Sequence, residues 1–261
     1  MIKLIATDID GTLLRDGEHH LNPEYFDVIL KLRQKGIQFA AASGRQWASI
    51  EAVFEPVKEK VFYLSDNGAY VGCHGRNLFL NPIDRDIVLE MIRRMRQIPG
   101  LEIIAGGPDV VYTETKNQEF LTLLTDGYRF RVRQVEDLTE VSDYIIKVSV
   151  YRKSGIQGEA EGLTAEFGDR VKMVLAGEWW LDAMAPGVSK GQAIGILQEN
   201  LDIKPEETMA FGDQMNDIEM LKRAYYSFAV ANAREEVKQA ARFQADTNER
   251  DGVLKVLRQL L

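Results

Sequence analysis

Asp8 and Asp10 stand on either side of one apolar residue, immediately before Gly11-Thr12 and after the apolar positions Ile2, Leu4, Ile5 and Ala6. A second acidic group, Asp213 and Asp217 with Asn216 beside them, follows the apolar run Thr208 to Phe211. Ser43 and Gly44 follow a third such run, Ile37 to Ala42, and Lys190 follows Pro186-Gly187-Val188-Ser189. Four carboxylates gathered in one crevice repel, and they do not all stay ionised unless a cation joins them. Only oxygen ligands are on offer, so the cation is a hard one. Mg2+ is favoured, because it accepts a few carboxylates, water and a substrate phosphate. Lys190 and Mg2+ together suit a bound phosphate and the charge that develops on it during transfer. In such chemistry Asp8 fits a nucleophile that attacks phosphorus and forms an acyl-phosphate. Asp10 fits the acid that protonates the departing alcohol and later takes a proton from water. Asp213 would complete the metal site while Asp217 supports it from behind.

These groups need elements that end at a common edge. The Ile2 to Ala6 stretch reads as a buried strand, and Gly11 permits the sharp turn after it. An ideal strand aims Asp8 and Asp10 at one face, and the turn at Gly11 could splay them into two roles. Asn22 then caps a helix with Pro23 at its first position, Phe26, Ile29 and Leu30 on the buried face and Gly36 past its end. Ile37 to Ala42 is a second strand, stopping at Ser43-Gly44-Arg45 before a helix that buries Trp47, Ile50 and Phe54. The hydroxyl of Ser43 and the free amides beside it suit a phosphate oxygen. Val61 to Leu64 is a third strand. Asp66-Asn67-Gly68 and Gly75-Arg76-Asn77 then mark small antiparallel hairpins ending at Leu80.

From about Asn81 to Pro186 the pattern becomes α+β and implies an inserted domain with an antiparallel sheet. Its helix carries Val88, Met91, Ile92 and Met95; its strands are Val110 to Thr113, Tyr144 to Tyr151, Val171 to Leu175 and Trp179 to Met184. The α/β pattern then resumes: a helix that Lys190 precedes or opens, the Thr208 to Phe211 strand, a strand at Tyr226 to Val230, a helix from Arg234 to Ala241, and a terminal helix. Parallel strands alternating with helices make an open sheet whose ligands sit at the carboxyl ends of the strands.

The chain has 261 residues, of which 45% are hydrophobic, enough for one domain with a large insertion or for two domains. A net charge of −8 and a pI near 5.1 argue against nucleic-acid or anionic-membrane partners. The single cysteine, Cys73, excludes an internal disulfide and reads as structural. No stretch approaches membrane-spanning length, and a soluble cytoplasmic protein is expected. His19 and His20 read as loop residues. Arg45 could meet a substrate phosphate, a carboxylate or a surface partner. Of Trp179 and Trp180, one points inward and the other outward.

Asp8-x-Asp10-Gly11-Thr12, Ser43-Gly44-Arg45, Lys190-Gly191 and Gly212-Asp213-x-x-Asn216-Asp217, in that order, closely resemble the haloacid dehalogenase superfamily of phosphatases. Ser65-x-Asn67-Gly68-Ala69, Ala231-Asn232-Ala233 and Asp251-Gly252-Val253 make the chain similar to its Cof-type sugar-phosphatase branch. The resemblance implies a Rossmann-like parallel-sheet α/β core over 1–80 and 187–261, with an inserted α+β cap domain over 81–186 that selects the substrate. It implies Asp8 as nucleophile and metal ligand, Asp10 as acid/base and metal ligand through its carbonyl, and Asp213 as metal ligand. Ser43, Gly44, Lys190, Asn216 and the backbone at Ile9 would hold the phosphate, with Thr12 and Asp217 supporting them. The expected function is Mg2+-dependent hydrolysis of small phosphomonoesters, sugar phosphates or related metabolites. A phosphomutase with the same aspartyl-phosphate and a non-catalytic sugar-phosphate sensor stay open beside it.

Overall fold

The computed structural model describes every residue except Asp16, Gly17, His19 and His74, so the reading of His19 lies outside the described residues. The chain divides into two compact units, Met1–Phe79 with Ser189–Leu261, and Leu80–Val188.

The first unit begins with β1 (Leu4–Asp8), α1 (Glu24–Gln34), β2 (Gln38–Ala42), α2 (Trp47–Val53), β3 (Val61–Ser65), β4 (Tyr70–Cys73) and β5 (Arg76–Leu80). The second unit contributes α3 (Arg85–Met95), β6 (Glu102–Gly106), β7 (Val111–Thr113), α4 (Gln118–Thr122), β8 (Val132–Gln134), β9 (Lys147–Tyr151), α5 (Gln157–Phe167), β10 (Lys172–Ala176) and β11 (Trp180–Met184). The chain returns with α6 (Lys190–Leu201), β12 (Thr208–Gly212), α7 (Ile218–Lys222), β13 (Tyr226–Val230), α8 (Glu235–Ala240), β14 (Phe243–Ala245) and α9 (Gly252–Arg258).

The sheet of the first unit has the order β14-β13-β12-β1-β2-β3-β4-β5. From β14 to β3 the pairs are parallel, and β4 joins antiparallel to β3. All five residues of β1 are buried, as an inner strand covered on both faces requires. Burying Leu4 or Ile5 completely contributes about 1.5–3 kcal/mol each relative to leaving it exposed. From β1 the chain moves to β2 on one side and later to β12 on the other. Ligand crevices form at such a reversal. Asp8 pairs in register with Ala42, which puts Ser43 one residue beyond the same edge, and Gly212 ends β12 just before Asp213.

Asn22 Oδ1 accepts from the Glu24 backbone N–H at the start of α1, but Pro23 stands at the N-cap and Glu24 is the first helical residue, one position later than expected. The buried face of α1 is Tyr25, Val28, Ile29 and Leu32, whereas Leu30 is exposed. The stripe passes through Tyr25 and Leu32 at helical spacing and leaves Leu30 far round the barrel of the helix.

In the second unit the sheet order is β10-β11-β9-β6-β7-β8. Its pairs are antiparallel except β7 with β8, which run parallel because α4 and the turn after it carry the chain back across. The helix α3 is capped by Asp84, whose carboxylate accepts from Asp86 and Ile87 N–H, and it buries Val88, Met91, Ile92 and Met95. Phe120 and Leu124 pack with Ile104, Val111 and Trp180 in a separate apolar cluster. Trp180 is the inward one, its indole N–H donating to the Tyr128 hydroxyl at 3.0 Å, while Trp179 is 48% exposed. Cys73 is buried in β4 and His20 is exposed.

Candidate active site

Asp8, the last residue of β1, is 5% exposed. Its Oδ1 accepts from Lys190 Nζ at 2.5 Å, and its buried Oδ2 meets no hydrogen-bond donor. Lys190 opens α6, whose start is capped by the Ser189 hydroxyl, and is 1% exposed. The same ammonium reaches Asp217 Oδ1 at 2.7 Å. Asp217 Oδ2 accepts from the backbone N–H of Asp213 and of Gln214, both at 2.9 Å. Asp217 is therefore fully engaged in shaping the turn after β12. That turn also needs Gly212, because a Cβ there would lie 2.4 Å from the Asp217 Cβ.

Asp213 Oδ1 accepts from the buried Thr12 hydroxyl at 2.7 Å and Oδ2 from the Gln214 side-chain amide at 3.0 Å. Gln214 was not anticipated among the site residues; its only signal was adjacency to Asp213. Gly11 has φ +81°, and a Cβ there would stand 2.5 Å from Asp213 Oδ2. A glycine is thus demanded both by the left-handed turn and by the carboxylate pressed against it.

Carboxylate oxygens of Asp8, Asp213 and Asp217 all lie within 4.8 Å of one another. Burial raises Asp8 well above the usual carboxylate range, and the charges of Asp217 and Asp213 push the same way against the opposing pull of Lys190. Asp213 is raised as well, first by burial and then by Asp217, with the Thr12 hydrogen bond opposing. For Lys190 burial favours the neutral amine, but the charges of Asp217 and Asp8 outweigh it and hold the group above its ordinary value. One ammonium thus pairs with two of the three clustered carboxylates, and two negative charges lack compensation when all are ionised. An all-oxygen donor set and an orphaned Asp8 Oδ2 fit a hard divalent cation. Asp8 and Asp213 have the remaining capacity for it.

Asp10 lies two residues beyond Asp8, directly before the turn at Gly11. Its side chain is 53% exposed, and Arg45 grips both carboxylate oxygens, Nε donating to Oδ2 at 2.8 Å and Nη2 to Oδ1. Of the three partners open to Arg45, the structure shows a carboxylate. Ile9 is buried, and its carbonyl accepts from Leu13 and Leu14 N–H, which closes the turn. Ser43, Gly44 and Asn216 form a second group around Asn67. Ser43 is buried with its Oγ accepting from Arg45 N–H; Asn67 N–H donates to Ser43 O; Asn216 Nδ2 donates to Asn67 Oδ1 at 2.9 Å. Asp66 and Asn67, at φ 48° and 57°, both adopt left-handed backbone to make this contact. Turn chemistry was legible at 66–68, but its place beside Ser43 was not.

Residues 5–257 match the family model of the haloacid dehalogenase-like hydrolases. The chain belongs to that family. Within the haloacid dehalogenase-like hydrolases it is of the Cof type, with their Rossmann-like core, and it is a phosphoric monoester hydrolase by class. The 5-amino-6-(5-phospho-D-ribitylamino)uracil phosphatase YbjI of Escherichia coli strain K12 is 30% identical over 261 residues, covering 100% of this chain and 96% of its own. A crystal structure from Eubacterium rectale is 39% identical with a TM-score of 0.95, covering 100% of this chain and 99% of that one. TM0651 from Thermotoga maritima is 27% identical with a TM-score of 0.90, covering 99% and 97%.

Proposed function

We propose that this hydrolase is a Mg2+-dependent phosphatase of small phosphomonoesters, sugar phosphates or related metabolites, working through an aspartyl-phosphate at Asp8. The observation that carries the reading is the state of Asp8: a buried carboxylate with one oxygen on Lys190 and the other without a donor, beside Asp213. The phosphatase YbjI, similar over its length, supports the substrate class.

The Asp8 carboxylate attacks phosphorus, the ester P–O bond breaks, and the Asp10 carboxyl protonates the departing alkoxide. Water then attacks the aspartyl-phosphate, Asp10 takes its proton, and the bond from Asp8 to phosphorus breaks. Lys190 favours the ionised form of Asp8 and meets the negative charge of the phosphoryl oxygens. Ser43, the Gly44 amide and Asn216 hold the other oxygens. Asp8 and Asp213 would hold Mg2+, which would supply positive charge to offset that of the phosphoryl group. Asp10 delivers its proton only when its pair with Arg45 opens, since both its oxygens are engaged there. The second unit is assigned the selection of the alcohol portion, and the cytoplasm is the expected compartment.

Phosphate release from a panel of phosphomonoesters, with Mg2+ and with chelator, tests the reading against Asp8→Asn. Release is expected only with Mg2+ and is expected to fall by about a thousandfold or more in the variant. Isomer formation dependent on a bisphosphate activator would instead indicate a mutase, and binding without turnover a sensor.

A further inference from the structure

Asn232 and Asn248 lie in segments that the chemistry above leaves unused, yet both reach the turn that carries Asp10. Asn232 Nδ2 donates to Gly11 O at 2.7 Å. Its Oδ1 accepts from Asn248 N–H at 3.0 Å, and Asn248 Nδ2 donates to Leu14 O at 2.9 Å. Leu14 O also accepts from Gly11 N–H at 3.1 Å. Two side-chain amides from beyond β13 and β14 thus clasp both ends of the segment Gly11 to Leu14. Upstream, the same turn is closed on Ile9 O by Leu13 and Leu14 N–H. Asp10 sits between these two anchors, and Thr12, which holds Asp213, follows directly.

We infer that Asn232, braced by Asn248, is a positioning residue for proton transfer by Asp10. The inference rests on the assignment of Asp10 as acid/base. Asn232 is exposed and touches neither Asp8 nor Lys190 through any described hydrogen bond, so it acts through the Gly11 carbonyl on the turn. A hydrogen bond at an exposed position contributes little to folding, and its loss is expected to leave the chain folded. A misplaced acid, by contrast, has a particular kinetic signature. An alkyl phosphate expels a poor leaving group that needs the proton, whereas p-nitrophenyl phosphate expels a phenolate that needs little help.

The test compares kcat/KM for glycerol phosphate and p-nitrophenyl phosphate, with Mg2+, in the parent, Asn232→Asp, Asp10→Asn and the double variant. Asn232→Asp keeps the acceptor for Asn248 N–H but loses the donor to Gly11 O. The expected result is a loss of about tenfold or more on the alkyl ester and about threefold or less on the aryl ester. In the Asp10→Asn background, the Asn232 substitution is expected to add almost nothing, because both changes act on one step. Equal losses on the two esters, or a full additional loss in the double variant, would overturn the inference while leaving the function intact. A parent that hydrolyses neither ester, nor any other of the panel, overturns the proposed function and this inference with it. An Asp10→Asn variant without leaving-group discrimination removes the acid assignment on which Asn232 depends. Urea unfolding of each variant separates these outcomes from loss of fold.

Discussion

At the scale of residues, the site works by giving each carboxylate a different set of partners. Asp217 spends both oxygens on Lys190 and two backbone amides, Asp10 spends both on Arg45, and Asp213 has one donor on each oxygen. Asp8 alone keeps a buried oxygen without a donor. Neighbours that orient a metal ligand typically govern affinity by 10–100-fold. Thr12→Val removes the hydroxyl from Asp213 at nearly unchanged volume. Mg2+ affinity is expected to fall by about tenfold, measured by calorimetric titration. An unchanged affinity would mean that the Thr12 bond serves folding only.

At the scale of elements, the decisive pieces are the turns that leave β1 and β12 rather than the strands themselves. Gly11 combines φ +81° with a neighbouring carboxylate so near that a Cβ there would stand 2.5 Å from Asp213 Oδ2. Gly11→Ala is therefore expected to cost about 1–3 kcal/mol in urea unfolding. Mg2+ binding should weaken in the same variant, since the turn can relax only by pushing Asp213 away. A variant of parental stability and affinity would show that the turn is more compliant than its geometry implies.

For the whole molecule, the buried acidic cluster links stability, pH and metal. Asp8 and Asp213 both stand above the ordinary carboxylate value in the metal-free folded chain, burial being the largest cause. Above about pH 4 these two groups bind more protons in the folded chain than in the unfolded one, so their contribution to stability falls as pH rises through the window between ordinary and raised values. Mg2+ held there as proposed would require the ionised ligands and would offset that loss. The rise in Tm caused by saturating Mg2+ is expected to be larger at about pH 7.5 than at about pH 5.5. The difference should shrink in Asp213→Asn. Equal rises at both pH values would place the Mg2+ effect elsewhere. Among the described residues no helix is long and apolar enough to cross a membrane.

Much of the architecture was legible because apolar runs announce inner strands and the candidate site residues stand at their ends. β1, β2, β3, β12 and β13 all fall on such runs, and the stripe of α3 is read directly from its spacing. Less was legible where burial is partial or the element is short. β8, with two exposed residues of three, carries little alternation; α5 is diluted by Gly158 and Gly162; β6 begins on Glu102 and ends on Gly106. Leu30 faces solvent although its apolar side chain suggests the buried face, because an apolar residue near a stripe need not belong to it. By itself, then, the sequence determined which chemical groups end up at the strand ends, since hydrophobic burial dictates where strands stop. Only the tertiary structure decided which groups share partners. Lys190 between Asp8 and Asp217, Thr12 on Asp213 and Asn232 on Gly11 are contacts between distant segments, set by strand order and register, which no local pattern encodes.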